Sequence, residues 1–493
     1  MKQQEEILKL AYDYVLSTAN NKSYNIQSMA IISYFDNEKN QLKNNIDLYL
    51  KDYHQFSSKV EVFKVRDFIY KKDYFTPRDM YVVPPSNYLY YTFQVFRLCY
   101  EMFPNEVVDF SIKKNEIYYS GRLDFTSFEK NVNENSNFNY SYNQYQKKRK
   151  EFNDSKVLVM DIQDFFKGIK VRNLINKLNY ENRFIKSEIM KKAIKNLADY
   201  FLEIGFTELP QLHYSIASSI LSQIYLKNFS KKMQTLLAQK NLLSLRFVDD
   251  INIKLSDSIS SNEINDILNR LSSYLWEDGI NFNSSKTKIL DKDEFKKITD
   301  TTIANYDGSS DYILVEKNKY ISQKIIEDKV DELIANNGRE LIEYFNDLNL
   351  IIREKGIDLE EYHKMKNRYI SIDSDSSTKV LNSLIYGKKW KKISISNLEI
   401  ILSNSVFVYF NPYQYTVFYI LLNNHVEKIT NKKFSYIRTL LNRLFTTEEF
   451  TFRECVISIA YLLQKKFKHT DLISNLNEVN DDYVQFIEKY ISF

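Results

Sequence analysis

The chain reads as an α+β protein with an all-α carboxyl-terminal region, and three stretches predict it. Val157-Leu158-Val159-Met160 is a continuous apolar run that ends in Asp161, the pattern of a short strand buried on both faces with a carboxylate at its carboxyl end. Between Leu245 and Leu255, Leu245 and Phe247 alternate before Asp249-Asp250, and Ile251, Ile253 and Leu255 alternate after it. That period of two predicts a β-hairpin with two carboxylates at its tip. From about Asp300 onward the apolar residues recur at three- and four-residue steps, as in Lys329 to Phe345 and Phe434 to Phe445, which predicts successive helices. With 493 residues the chain exceeds one ordinary core, and the pattern divides it at 1–150, 151–299 and 300–493.

Taken in order, Glu5 to Thr18 places Ile7, Leu8, Leu10, Ala11, Tyr14, Val15 and Leu16 at mainly helical spacing. The prolines of Phe75 to Pro85 favour extended chain, and a Tyr- and Phe-rich helix follows from Asn87 to about Cys99. Asn131 to Gln146 has little periodicity and reads as a mobile loop leading into the basic run Lys147-Lys148-Arg149-Lys150, a solvated face or a nucleic-acid contact. After Asp161, the residues Ile185, Ile189, Ala193, Ile194, Leu197 and Phe201 mark a helix ending near Gly205. Ile216, Ile220 and Ile224 form a buried stripe, with Ser215, Ser219 and Gln223 off it. A helix from Ile264 to Trp276, then Gly279 and an Ile280 to Asn283 strand, complete a βαββαβ-like sheet. Farther on, Asp373 to Ser377 reads as a linker, and Gly387-Lys388-Lys389-Trp390-Lys391-Lys392 as a basic cluster around an aromatic. Thr446 to Glu449 offers a capping box before the apolar run Val456 to Leu463.

Composition narrows the function classes. Lys plus Arg at 68 against Asp plus Glu at 64 gives +4, too even for affinity resting mainly on duplex phosphates, so any nucleic-acid channel is local. Cys99 and Cys455 lie far apart without metal-ligand spacing, which argues against a disulfide framework or zinc site and for a reducing cytoplasm. The amino terminus shows no apolar signal core, and the apolar stretch Val406 to Leu422 is interrupted by Asn411, Pro412 and Gln414, so no membrane association is expected. The 38 Tyr and 33 Phe are partly compositional, and some could line a single-strand groove.

Taken alone, the hairpin is more often an ordinary acidic turn. A second strand bearing Asp161 changes the reading, since one carboxylate beside two is the arrangement that clamps two hard cations about 4 Å apart for nucleotidyl transfer. Asp161-Ile162-Gln163-Asp164-Phe165-Phe166 resembles motif A of reverse transcriptases, and Phe247-Val248-Asp249-Asp250 their motif C. Ser218 to Leu226 resembles the motif B helix and Asn283-Ser284-Ser285-Lys286-Thr287-Lys288 motif D, all in the family's order over roughly Asp154 to Leu290. The Tyr-rich amino-terminal region and long helical tail most resemble the abortive-infection, AbiK-like phage-defence reverse transcriptases.

The resemblance implies fingers within 1–150, a palm with a ferredoxin-like sheet at 151–299 and a HEAT-like helical array at 300–493. It implies that Asp161, Asp249 and Asp250, with the Ile162 carbonyl, bind Mg²⁺, with Mn²⁺ as the alternative. Lys286 would protonate departing pyrophosphate, and Phe166 would exclude a 2′-hydroxyl. Arg78 would grip the dNTP triphosphate, with Lys113, Lys114 and Arg122 as weaker candidates. Gln211, in Leu209-Pro210-Gln211, would lie near the templating base, although Leu212 stands where the family has glycine. The implied product is single-stranded DNA made without a template and attached to one of the protein's own tyrosines. Tyr12 and Tyr14 are the first candidates, because a terminal segment can be mobile enough to enter a cleft. A cyclic homo-oligomer, trimer or hexamer, is expected. Two alternatives stay open: a non-catalytic nucleic-acid-binding or assembly module with a polymerase fold, and a templated reverse transcriptase of a mobile element. None of the five histidines has the Arg spacing of a HEPN ribonuclease, so that activity is not expected.

Overall fold

Helix α1 (Lys2–Asn21) owes its position to the apolar stripe read in the sequence: Ile7, Leu8, Ala11, Tyr14 and Val15 are all buried. It packs with α2 (Ile26–Asp36), α3 (Leu42–Leu50) and α4 (Tyr53–Ser57) around α5 (Pro85–Met102). Strands β1 (Val65–Tyr70) and β2 (Pro77–Val82) precede α5, whose residues from Pro85 to Tyr100 are buried all round. The aromatic excess is spent here on packing, with Tyr14 edge-on to Phe96 at 5.8 Å and Phe56 stacked on Tyr90 at 4.1 Å.

The computed structural model describes residues 2–21, 26–70, 77–126, 128, 140–303, 323–343, 346, 389–403, 421–423, 425–431 and 481–491. They fall into two compact units, one holding Met1–Asp67, Asp79–Thr299 and Glu488–Ser492, the other Phe68–Arg78 and Asp300–Ile487. Among the described residues no helix is long and apolar enough to cross a membrane.

The first unit carries a mixed five-stranded sheet. Its strands are β3 (Asn115–Tyr118), β4 (Val157–Asp161), β5 (Leu243–Phe247), β6 (Asp250–Lys254) and β7 (Lys288–Leu290), in the order β3-β5-β6-β4-β7. β3 runs parallel to β5, and every other pairing is antiparallel. Alternation sorts the side chains between two faces. Leu158, Met160, Ile251 and Ile253 join the large core with the helices that follow β4, while Val157, Leu245 and Leu290 pack with Tyr145, Phe152 and Phe295 on the other side.

After α1 to α5, the helices of this unit are α6 (Tyr140–Arg149), α7 (Phe165–Gly168), α8 (Val171–Ile185), α9 (Glu188–Glu203), α10 (Ile216–Tyr225), α11 (Lys227–Gln239) and α12 (Ser261–Trp276); α13 (Lys292–Ile303) begins in it and ends beyond Thr299. Several depart from the sequence reading. Residues 140–146, expected to be loop, are helical in α6, because Tyr145 is drawn into the sheet's apolar cluster; 131–139 lie outside the described residues. Ile185 closes α8 rather than opening α9: Lys186 turns left-handed at φ 57° and Ser187 caps the next helix through Met190 N. α10 is buried on every side, not along one stripe, and Ser219 accepts a hydrogen bond from Ser120 N at 2.9 Å. α12 begins with a capping box between Ser260 and Glu263, a Ser-x-x-Glu signal present in the sequence.

In the second unit, α14 (Gln323–Ala335) ends at a turn through Asn337 and Gly338, so the single helix expected from Lys329 to Phe345 is interrupted. Trp390 is 1% exposed, and Lys389 pairs with Asp331 at 3.0 Å. The basic cluster at 387–392 therefore hides its aromatic instead of presenting it. Helix α15 (Ile395–Ser403) follows. The expected linker Asp373 to Ser377, helix Phe434 to Phe445, capping box Thr446 to Glu449 and apolar run Val456 to Leu463 lie outside the described residues.

Gly121 adopts φ +97°, and a Cβ there would press on the Tyr14 hydroxyl and the tip of Ile216. Gly121→Ala is expected to lower unfolding free energy by more than about 1 kcal/mol, and Tyr14→Phe in the same background to recover part of the loss, since the dihedral strain remains. Chemical denaturation of the three variants checks this; an unchanged midpoint in Gly121→Ala would contradict the packing.

Candidate active site

The site is built by strand register. Antiparallel pairing sets Asp161, the last residue of β4, directly opposite Asp250, the first of β6. Phe247 faces Asp250 across the hairpin, leaving Val248 and Asp249 as a two-residue turn. Val248 is left-handed at φ 53°, which a β-branched side chain adopts only under constraint. Both of its backbone groups are held: its N–H donates to the Tyr118 carbonyl at 3.1 Å, and its carbonyl accepts from the Arg246 guanidinium at 3.1 Å. Ile162 N–H donates to the Asp249 carbonyl at 3.2 Å, joining the end of β4 to the turn.

Arg246 is fully buried and gives its other terminal nitrogen to Ser230 of α11 at 2.9 Å. Burial pushes this guanidinium down to about 9, with the Asp249 carboxylate pulling the other way. Asp249 and Asp250 thus have different surroundings, although they are adjacent in sequence. Asp161 is 7% exposed, and its Oδ2 receives the Lys286 ammonium at 3.1 Å and the Asn283 amide at 3.3 Å. Asn283 N–H also donates to the Asp161 carbonyl at 2.7 Å, so the 283–286 turn is fixed on the end of β4. Asp250 keeps a solvent-exposed edge, yet loss of surrounding water and the facing Asp161 carboxylate raise it above the usual carboxylate range. Arg149 and Lys286 oppose the shift.

Sequence reasoning missed Arg149 and Arg246. Arg149 sits in a basic run, which usually marks a solvated face, but only Lys147 and Lys150 are exposed. Lys148 pairs with Glu116 and Glu151, and Arg149 is buried over the Tyr145 and Phe295 rings at 5.6 and 5.4 Å. α6 is tied to β6 as well, since the Asn252 amide donates to the Tyr145 hydroxyl. Arg246 immediately precedes the hairpin motif and carried no pattern of its own.

Phe166 is half-buried on α7, its ring 5.5 Å from Phe165; the next residue, Lys167, pairs with Asp79 at 2.6 Å, which Arg66 also holds at 2.6 Å. Those two cations keep the Asp79 carboxyl below its ordinary range. Ile162 is buried, and Gln211 is half-buried with its carbonyl accepting from Tyr81 N at 2.9 Å. Arg78 is exposed on β2 and falls in the second unit. Lys114 donates to Asn241 at 2.7 Å, Arg122 pairs with Asp124 at 3.5 Å, and Lys113 is exposed. The premise behind Tyr12 and Tyr14 fails: α1 is a packed helix, not a loose terminus. Tyr14 is 2% exposed with burial driving its phenol far up, and Tyr12 lies edge-on to Phe35 at 5.1 Å. Among the described residues, Tyr118, Tyr142 and Tyr145 lie on the carboxylate side of the sheet, with Tyr142 and Tyr145 packed on Phe247.

What the structure brings together is therefore the pair Asp161 and Asp250 with Lys286; among the described residues no group of three His, Cys, Asp or Glu side chains is arranged as a metal cage. A family model described as a domain of unknown function, DUF8609, matches residues 337–488, in the carboxyl-terminal part of the chain. No curated protein matches the chain.

The raised Asp250 carboxyl carries a pH signature. Its ionised form is disfavoured in the folded state, so wild-type stability declines as pH rises from the unfolded carboxylate range, about 4, through the raised folded value. Asp250→Asn should therefore melt a few degrees higher than wild type at neutral pH, with the difference vanishing below about pH 4. Thermal melts across that range decide; equal midpoints at pH 7 would show that the Asp250 carboxyl is not raised by burial and the facing Asp161.

Proposed function

We propose that the first unit is the catalytic core of a reverse-transcriptase-type nucleotidyltransferase of the abortive-infection, AbiK-like kind, which adds dNTPs to a DNA strand. The observation that carries this reading is Asp161 facing Asp250 across the β4–β6 ladder with Lys286 against Asp161. The strand order β5-β6-β4-β7 supports a ferredoxin-like palm, and the described helices of the second unit are compatible with a HEAT-like array.

The pair fits a hard divalent cation. Its donors are oxygens, and the repulsion that raises Asp250 is relieved by a positive ion between the two carboxylates. Asp161 and Asp250 would hold Mg²⁺ or Mn²⁺, with Asp249 and the Ile162 carbonyl beside them. Such an ion lowers the pKa of an attacking hydroxyl and stabilises charge on the leaving oxygen. Lys286, whose side chain is 62% exposed, holds a proton on Nζ that it can give to pyrophosphate. Phe166, half-buried on α7 next to Lys167 of the Asp79–Lys167 pair, would be the ring that excludes a 2′-hydroxyl. A tyrosyl hydroxyl of the chain as first primer remains part of the proposal; Tyr12 and Tyr14 no longer lead as candidates.

Incubation of the purified protein with each labelled dNTP, with and without nucleic acid and Mg²⁺, tests the reading. Asp161→Asn should reduce incorporation by at least about a hundredfold while the fold is retained, because a charged ligand of the reacting centre is lost. Incorporation at the wild-type rate would sink the assignment, and oligonucleotide binding without incorporation by wild type would favour a non-catalytic module. Phe166→Ala should raise rNTP use relative to dNTP use in the same assay, and an unchanged ratio would remove the gate.

A further inference from the structure

Helix α8 buries one side, and among the described residues nothing packs on the opposite side. Leu174 and Leu178 are fully buried, whereas Arg172, Asn176, Asn179, Tyr180, Arg183 and Phe184 are exposed. Positions 172, 176, 180 and 183 fall on successive turns, so they form one line about 16 Å long at about 1.5 Å per residue. Tyr180 is 55% and Phe184 69% exposed, and their rings meet edge-on at 5.1 Å. Such exposure of two neighbouring aromatics is costly in water and marks a contact surface.

The charge on this face has one sign. Among the described residues Arg172, Arg183 and Lys186 form no ion pair. Glu181, the one acid in the helix, is taken by Lys227 of α11 at 2.5 Å, and Lys177 by Asp278 at 2.6 Å on the half-buried flank. A row of cations with two open rings beside it, and amide side chains between, complements a polyanion whose bases are unstacked. A duplex offers the phosphates but keeps its base faces covered.

We propose that the outer face of α8 binds single-stranded nucleic acid, with Tyr180 and Phe184 stacking on bases and Arg172, Arg183 and Lys186 holding phosphates. Asn176 and Asn179 contribute amide hydrogen bonds to sugars or base edges. The surface goes beyond the polymerase reading and does not depend on it.

Fluorescence anisotropy with labelled oligothymidylate, oligouridylate and a DNA duplex, on the full chain in the Asp161→Asn background, separates binding from catalysis. Tyr180→Ala and Phe184→Ala should each weaken single-strand binding by about fivefold or more. Arg172→Gln with Arg183→Gln should flatten the slope of log affinity against log salt by about 1.4. Because these side chains are exposed, melting midpoints should not move, and light scattering run alongside reports assembly. Variants that bind as tightly as the parent overturn the proposal, as does a parent that binds no single strand at low salt. A changed oligomer mass with unchanged oligonucleotide affinity also overturns it, and assigns the face to contacts between copies. Binding by a wild-type protein that incorporates no dNTP would sustain this surface while removing the proposed activity.

Discussion

Two carboxylates held opposite each other on paired strands are the constraint on which the rest of the first unit depends. The register that joins Leu158 to Ile253 and Met160 to Ile251 places Asp161 against Asp250 at its end, so apolar packing enforces the like-charge contact. Neighbouring elements then supply positive charge: Lys286 from the turn before β7, and Arg149 from the end of α6. Neither residue is near the pair in sequence. Their convergence links the placement of α6 and of the 283–286 turn to the electrostatics of one ladder position.

The hairpin turn adds a second constraint. A left-handed Val248 costs about 1–3 kcal/mol and persists because the surrounding structure over-determines it. Tyr118 on β3 takes its N–H, and Arg246 on β5 gives to its carbonyl, so the parallel pairing of β3 with β5 and the burial of a guanidinium both act on one residue. A buried guanidinium is itself expensive to desolvate. Its hydrogen bonds to Val248 and Ser230 and its proximity to the Asp249 charge offset that cost locally. The consequence is that the two adjacent acids are separated in role: Asp249 is balanced by Arg246, while Asp250 faces Asp161.

The elements that were legible in the sequence share strong local signals. The run before Asp161 and the alternation around Asp249-Asp250 appear as β4, β5 and β6, and α1, α5, α10 and α12 appear within a few residues of their expected bounds. What escaped was decided by distant contacts. Nothing local marks residues 140–146 as helix, because α6 is held by Tyr145 and Arg149 against the sheet. Trp390 read only as the aromatic of a basic cluster, whereas the fold buries it, and Tyr14 looked terminal until α5 and Gly121 closed over it. The acids of the candidate site were visible as residue types; their pairing with Lys286, and the two buried arginines around them, required the fold.

The near balance of 68 basic and 64 acidic residues gives the molecule little overall field, so recognition must come from how charges are spent locally. Lys148, Lys167, Lys170, Lys177, Lys227 and Lys232 are each engaged by a carboxylate, and Arg149 and Arg246 are turned inward. Where cations are instead left open beside uncovered rings, as along α8, the local potential departs from the average in the direction that attracts a polyanion. At the carboxylate pair the departure has the opposite sign, and it favours a cation. A protein with a net charge of only +4 can in this way present two regions of opposite polarity, each set by which side chains the fold pairs and which it leaves open.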